Sequence, residues 1–328
     1  MIVVRAPLRI SLGGGGSDLP FYSSKFGGEL TSVAINKYNY IIIKKRDFYK
    51  DFLIRYSKTE RVNHPSEIEQ PLIRESLKFL EINDPIEITA ISDVPAGTGL
   101  GSSSTFLVAL LKALHLHKRE EISAKKLAEE ASYIEMEILG EPIGKQDQYL
   151  ASLGGLINLK IKKDGTVLAS PLNFSFSTRE ELENNLLLFS TGIKRSASEV
   201  IKDQKKNSEK DKDKMKKMNL IKEIGIEIKK SIETGNPSQV GKWFNVHWET
   251  KKKFSEKMSS PEIDRGYEIG LKNGARGGKL VGAGGGGFLL FYCDENKIKL
   301  REAMQKEGLN ELNFKFDMDG CKVVYDGR

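Results

Sequence analysis

Hydrophobic positions along the chain switch between a period of two and a period near three and a half, which predicts a mixed α/β protein. Ile2 to Val4 and Tyr38 to Ile43 are β-branched and aromatic runs of strand length, and Ile86 to Ile91 alternates apolar with polar side chains. Phe106, Leu107, Leu110, Leu111 and Leu114 then recur at helical steps, placing a helix over Ser102 to His117. A second amphipathic helix is predicted from Ser123 to Leu139. Its Leu127, Ala131, Ile134 and Ile138 share one face, Ser123 offers an N-cap, and Gly140 and Pro142 stop it. Strands resume at Gly155 to Ile161 and Leu186 to Ser190, helical patterns cover Leu220 to Ile232 and Val240 to Lys253, and Lys279 to Ala283 and Gly287 to Tyr292 read as strands. No internal repeat of solenoid period is present.

The chain has 328 residues, and at about 150 residues per domain it divides in two. Pro171 follows a strand-like segment and cannot sit inside a central strand, so the division is placed at 1–171 and 172–328. A composition of 39% apolar and 30% charged residues excludes a largely disordered chain. The net charge of +7 is partly local, because eight lysines face four acids between Lys202 and Lys217. That run reads as a solvated helix or loop, and the remainder is too mildly basic for a nucleic-acid footprint. Cys293 and Cys321 lack metal-ligand spacing and read as apolar thiols. Arginines interrupt the apolar N-terminus early, which argues against a signal peptide or anchor, and no apolar run approaches the roughly 18 residues that span a membrane. A soluble cytoplasmic protein is expected; a homodimer is left open.

Three glycine clusters are too dense for ordinary turns: Gly13 to Gly16 before Ser17 and Asp18, Pro95 to Ser104, and Gly282 to Gly287. In the second, a strand leads through Pro95-Ala96-Gly97-Thr98-Gly99-Leu100-Gly101 into a helix that opens with Ser102, Ser103 and Ser104. Free backbone N–H groups and the positive end of a helix dipole then converge on one spot, which suits phosphate. The P-loop pattern fails, because Gly278-Lys279 is followed by Leu280. Gly282, Gly284 and Gly287 fit the dinucleotide spacing but run into a strand, where that fingerprint must open a helix.

The second cluster resembles the phosphate loop of the GHMP kinases, small-molecule kinases named for galactokinase, homoserine kinase, mevalonate kinase and phosphomevalonate kinase. Ala6 to Leu12 with Asp18 resembles their first motif and Gly282 to Phe288 their third, in the family order. The resemblance implies a fold of two α/β (α+β) domains, an N-terminal one like domain 2 of ribosomal protein S5 and a C-terminal ferredoxin-like one. It also implies ATP and Mg²⁺, with Pro95, Gly97, Gly99, Leu100, Gly101, Ser102, Ser103 and Ser104 around the nucleotide. Asp147, in Gly144-Lys145-Gln146-Asp147, would face the attacking hydroxyl, with Arg9 beside the transferred phosphoryl group. Ser103 and Glu135 would hold Mg²⁺, Glu137 being the competing register. Asp18, Gly15, Gly16, Gly284 and Gly285 would line the acceptor site.

Galactokinases carry a Glu-His pair where this chain has Gly15 and Gly16, which argues against galactose and leaves room for a bulkier sugar. Gly13 to Gly16, Gly144 to Tyr149 and Thr191 to Ser198 resemble the branch of the family that phosphorylates the anomeric hydroxyl of D-glycero-D-manno-heptose 7-phosphate. Such a substrate needs a cationic seat for its own phosphate, and Lys145, Lys194 and Arg195 are the candidates. A kinase for fucose or another free hexose shares the same motifs. A catalytically silent sugar sensor would be expected to lose Asp147 or Glu135.

Overall fold

The computed structural model describes residues 1–193, 197–205 and 211–328. In chain order the first half contains β1 (Ile2–Gly13), α1 (Pro20–Phe26), β2 (Gly28–Lys45), β3 (Phe52–Arg55), β4 (Thr59–Val62), α2 (Pro71–Phe79), β5 (Ile86–Ser92), α3 (Ser102–His117), α4 (Ala124–Tyr133), α5 (Gln146–Leu153), β6 (Leu156–Ile161) and β7 (Val167–Pro171). The second half adds α6 (Phe176–Asn185), β8 (Leu186–Ser190), α7 (Ala197–Lys205), α8 (Lys212–Glu233), α9 (Gln239–Lys252), α10 (Pro261–Lys272), β9 (Gly277–Val281), β10 (Phe288–Tyr292), α11 (Lys297–Lys306), β11 (Asn310–Glu311) and β12 (Lys322–Asp326).

Two sheets organise these elements. The first runs β12-β1-β2-β5-β3-β4, with β6 also on β2 and β7 on β6. The second has the order β11-β8-β10-β9, all antiparallel. With helices between β8 and β9 and α11 between β10 and β11, it is a βαββαβ unit of ferredoxin-like order. β9 and β10 are buried at every position because successive side chains enter two different cores. Leu188, Leu290 and Tyr292 face Leu8, Ile10 and Leu12 of β1 together with Ile224 and Ile228 of α8. Leu187, Phe189, Leu289 and Phe291 face α10 and α11 instead. The first of these cores joins the two sheets, so β1, alternating at its start, is buried on both faces from Ala6 onward.

The predicted helix over Ser102 to His117 has those bounds in the structure. Two differences matter. The helix predicted from Ser123 to Leu139 is α-helical only to Tyr133 and continues as a π turn over Ile134–Ile138. The wider turn rotates the end of the helix, so Ile138 is exposed rather than in the core stripe. β12, beyond the proposed C-terminal division, returns to pair with β1 in the first sheet, so a single cut at Pro171 does not separate the two sheets. The lysine-rich run lies in helix on either side of residues 206–210, which are outside the described residues. Both cysteines are free, Cys293 buried and Cys321 half-buried. Among the described residues, no helix is long and apolar enough to cross a membrane.

Candidate active site

Arg9 is delivered to the site by an irregularity in β1. The pairing of β1 with β2 shifts register between Pro7 and Leu8, a place where proline's missing N–H breaks no ladder. Two residues later the guanidinium meets Asp147 at the start of α5, with Nε and Nη2 each 2.7 Å from a carboxylate oxygen. This fork is the strong, orienting form of an ion pair. The third arm of Arg9 donates to the Gly99 carbonyl at 2.6 Å, and its backbone N–H to Leu100 at 3.1 Å. Strand, glycine loop and carboxylate are thereby locked together. Leu100 serves from behind: its side chain is buried in the core that joins the sheets rather than lining the cavity.

The glycine loop ends on Gly101, a left-handed N-cap that has no side chain with which to cap α3. The first N–H groups of a 16-residue helix are therefore open toward the cavity, an anion-binding arrangement. Gly99 has φ +81°, and a Cβ there would lie 2.8 Å from the Val281 carbonyl and 3.1 Å from Gly282 Cα. The second and third glycine clusters thus touch backbone to backbone, holding the loop between the two sheets.

The π turn carries the next group inward. Glu135 is 2% exposed, whereas Glu137 is on the surface, so burial favours the first register. Its carboxylate accepts from Ser103 Oγ at 3.1 Å and from Gln148 Nε2 at 2.6 Å. Burial, helped by the nearby Asp147 charge, pushes its pKa up to about 7. Gln148 Oε1 is a buried acceptor without a partner. Hydroxyl, carboxylate and amide oxygens are donors that a hard cation takes. Mg²⁺ keeps several waters and substrate phosphates as ligands, so a few such protein oxygens are enough to hold it. The residues fit the ion.

Asp18 forms the other end of the site. It accepts backbone N–H bonds from Gly16 and Gln146, both at 3.2 Å. Burial first, and the Asp147 charge second, raise its pKa above the ordinary carboxylate value. Gly144 makes this approach possible, since a Cβ there would lie 1.9 Å from Asp18 Oδ2. Gln146 is itself fixed by a 2.5 Å bond to Ser32 Oγ. Arg9, Asp147, Ser103, Glu135, Gln146 and Asp18 line one cavity of about 1000 Å³, which also takes Pro95, Gly97, Ser102, Ser104, Gly15 and Gly16 into its wall.

Several candidates lie elsewhere. The Lys145 ammonium donates to the Gly165 carbonyl at 2.8 Å and does not line the cavity, because the β6–β7 turn draws it away. Gly284 and Gly285 are likewise outside it, packed on Met258; Gly282 and Ala283 take their place in the wall. Lys194 and Arg195 lie outside the described residues. Conversely, the cavity holds side chains that the motifs did not indicate: Asn39, which donates to the Ser102 carbonyl at 2.8 Å, and His247, Lys251 and Lys279. Two of these, His247 and Lys251, carried one legible signal. His247 and Lys251 continue the buried stripe of Val240 and Phe244 along α9, where charged side chains are out of place.

The chain is similar to known proteins along nearly its whole length. Residues 71–155 match the GHMP kinases N terminal domain and residues 228–310 the GHMP kinases C terminal domain. The chain is 30% identical to the D-glycero-alpha-D-manno-heptose 7-phosphate kinase of Campylobacter jejuni, over 98% of each chain. It is 24% identical to the galactokinase of Pyrococcus furiosus, over 96% of this chain and 95% of that one. A solved structure described as a D-glycero-D-manno-heptose 1-phosphate kinase from Bacteroides thetaiotaomicron superposes with a TM-score of 0.82 at 25% identity, covering 99% of this chain and all of the other. With the motifs in order, both domains matched and a relative aligned end to end, the chain belongs to the GHMP kinases and is a phosphotransferase with an alcohol group as acceptor.

Proposed function

We propose that the protein uses ATP and Mg²⁺ to phosphorylate the anomeric hydroxyl of D-glycero-D-manno-heptose 7-phosphate, giving the 1,7-bisphosphate, a step toward nucleotide-activated heptose for surface polysaccharide. The observation that carries this reading is the Arg9–Asp147 fork, set between the open N-terminus of α3 and the Asp18 end of the same cavity. Phosphoryl transfer has a loose transition state, so positioning and cations do most of the work. The α3 N–H groups and the serines hold nucleotide phosphates. Ser103 and Glu135 hold Mg²⁺, which when bound neutralises charge on those phosphates. Asp147, its oxygens fixed by Arg9, keeps a lone pair for the attacking hydroxyl and takes up its proton as the new P–O bond forms and the β–γ bridging P–O bond breaks. Arg9 then faces the charge gathered on the transferred group.

The sugar is read from the Asp18 end. Gly15 and Gly16 stand where galactokinases present two large polar side chains, leaving volume for a seven-carbon sugar. The Campylobacter and Bacteroides relatives are both described as kinases of a phosphorylated heptose and differ in which carbon bears the phosphate in their names. A panel of sugars and sugar phosphates, with ATP turnover measured for each, tests the reading. Heptose 7-phosphate is expected to give the highest kcat/KM. Preference for fucose or another free hexose would replace it with the free-sugar reading.

A further inference from the structure

The wall that α9 and β9 contribute to the cavity carries three nitrogen-bearing side chains for which phosphoryl transfer has no use: His247, Lys251 and Lys279. The four-residue spacing sets His247 and Lys251 on one face of α9. Lys279 is tied down, donating to the Ser11 and Leu12 carbonyls at 3.0 Å each. His247 is 1% exposed, and neither ring nitrogen has a partner. Burial and the two lysine charges push its pKa far below the ordinary histidine range, so it is neutral, with one N–H to donate. The Ser11 hydroxyl, in the wall of the same cavity, is also buried without a partner. Lys251 is the least satisfied of the set. Its ammonium forms no hydrogen bond or ion pair with any described residue.

The charges around Lys251 do not balance. Asp18 attracts it and Arg9 repels it. Asp147 is already engaged by Arg9, and Asp18 is driven toward its neutral form by burial. Burial lowers the Lys251 pKa to about 8 and that of Lys279 well below the ordinary lysine value, so the space they share with Arg9 holds too little negative charge to keep all three charged. A dianion would correct this and would also use the orphaned donors of His247 and Ser11.

We propose that Lys251, flanked by His247, Lys279 and Ser11, receives the phosphate that the acceptor sugar already carries, and so sets the preference for a phosphorylated over a free sugar. This rests on the reading that the acceptor is a sugar phosphate. The two fail separately. The wild-type ratio of kcat/KM for heptose 7-phosphate over free heptose tests the reading, and the change of that ratio in Lys251→Met tests the seat. Loss of one charge-assisted contact predicts a fall in the ratio of about 10- to 150-fold in Lys251→Met, largely regained in Lys251→Arg, with the melting temperature and the KM for ATP showing that the fold and nucleotide site persist. A ratio that stays at the wild-type value, because both sugars lose equally or neither loses, overturns the seat alone. Should Lys251→Met fail to fold, inorganic phosphate gives the answer in the wild type. It is expected to inhibit competitively with the sugar phosphate, and competition with ATP alone would overturn the assignment.

Discussion

With both oxygens 2.7 Å from the Arg9 guanidinium, Asp147 has little freedom in where it can present its remaining lone pairs. Asp147→Ala is expected to lower kcat by 10²–10⁴-fold, the usual worth of a positioned proton acceptor, while ATP affinity measured by titration stays near wild type. Retention of more than about a tenth of wild-type turnover would remove Asp147 from its assigned role. Glu135 supports a different test. Its pKa, raised to about 7 by burial, means that the metal-free folded protein holds a proton there that the unfolded chain has released. For an acid raised in this way, stability contributed below the ordinary glutamate value is lost as pH rises toward 7. A cation binding the ionised carboxylate offsets that loss. Mg²⁺ affinity should therefore be about tenfold weaker at pH 6 than at pH 8, read by titration calorimetry. Glu135→Gln should abolish this pH dependence, and Glu137→Gln should leave it in place. The reverse result would put the metal ligand two residues along.

At the scale of elements, what the sequence disclosed depended on whether the cause was local. The helix over Ser102 to His117 shows its period and its glycine-serine start within one window, and its bounds are read directly. The π turn at Ile134–Ile138 does not, because an α-helical pattern and a π insertion share the same apolar positions and only the demand that Glu135 point inward separates them. Gly144 likewise looks like a turn residue; its reason is Asp18, far away in the chain. Gly144→Ala should cost activity beyond any loss of helix or strand content, because the Asp18 carboxylate must leave its place, and circular dichroism beside acceptor KM would show it. Gly99 is held to glycine for two reasons. The loop should tolerate no bulk because ATP approaches it, and a side chain at 99 meets Val281 and Gly282 of the protein itself. Gly99→Val is accordingly expected to lower the melting temperature by several degrees as well as ATP affinity, the response of a small domain to a clash of about 1–3 kcal/mol. Unchanged melting would leave the approach of ATP as the sole reason.

For the whole molecule, the cavity exists because one core fastens two sheets together. Leu8, Ile10 and Leu12 of β1 and Leu188, Leu290 and Tyr292 of the second sheet are buried in common, so Arg9 from one sheet and Lys279 from the other reach the same space. No window of sequence contains that juxtaposition. This is why the three motifs were legible while the meeting of His247, Lys251 and Lys279 in one space was not, and why Lys145, adjacent to the motif, turns out to face Gly165. In the function proposed above, this space transfers a phosphoryl group to C1 of a sugar that is already phosphorylated at its far end. Phosphorus NMR of the product formed from heptose 7-phosphate, ATP and Mg²⁺ tests it most directly. The product is expected to show a second phosphate ester whose signal couples to the anomeric proton, beside an unchanged 7-phosphate signal. A new ester at any other carbon, or none with this acceptor while a free sugar is phosphorylated, would contradict it.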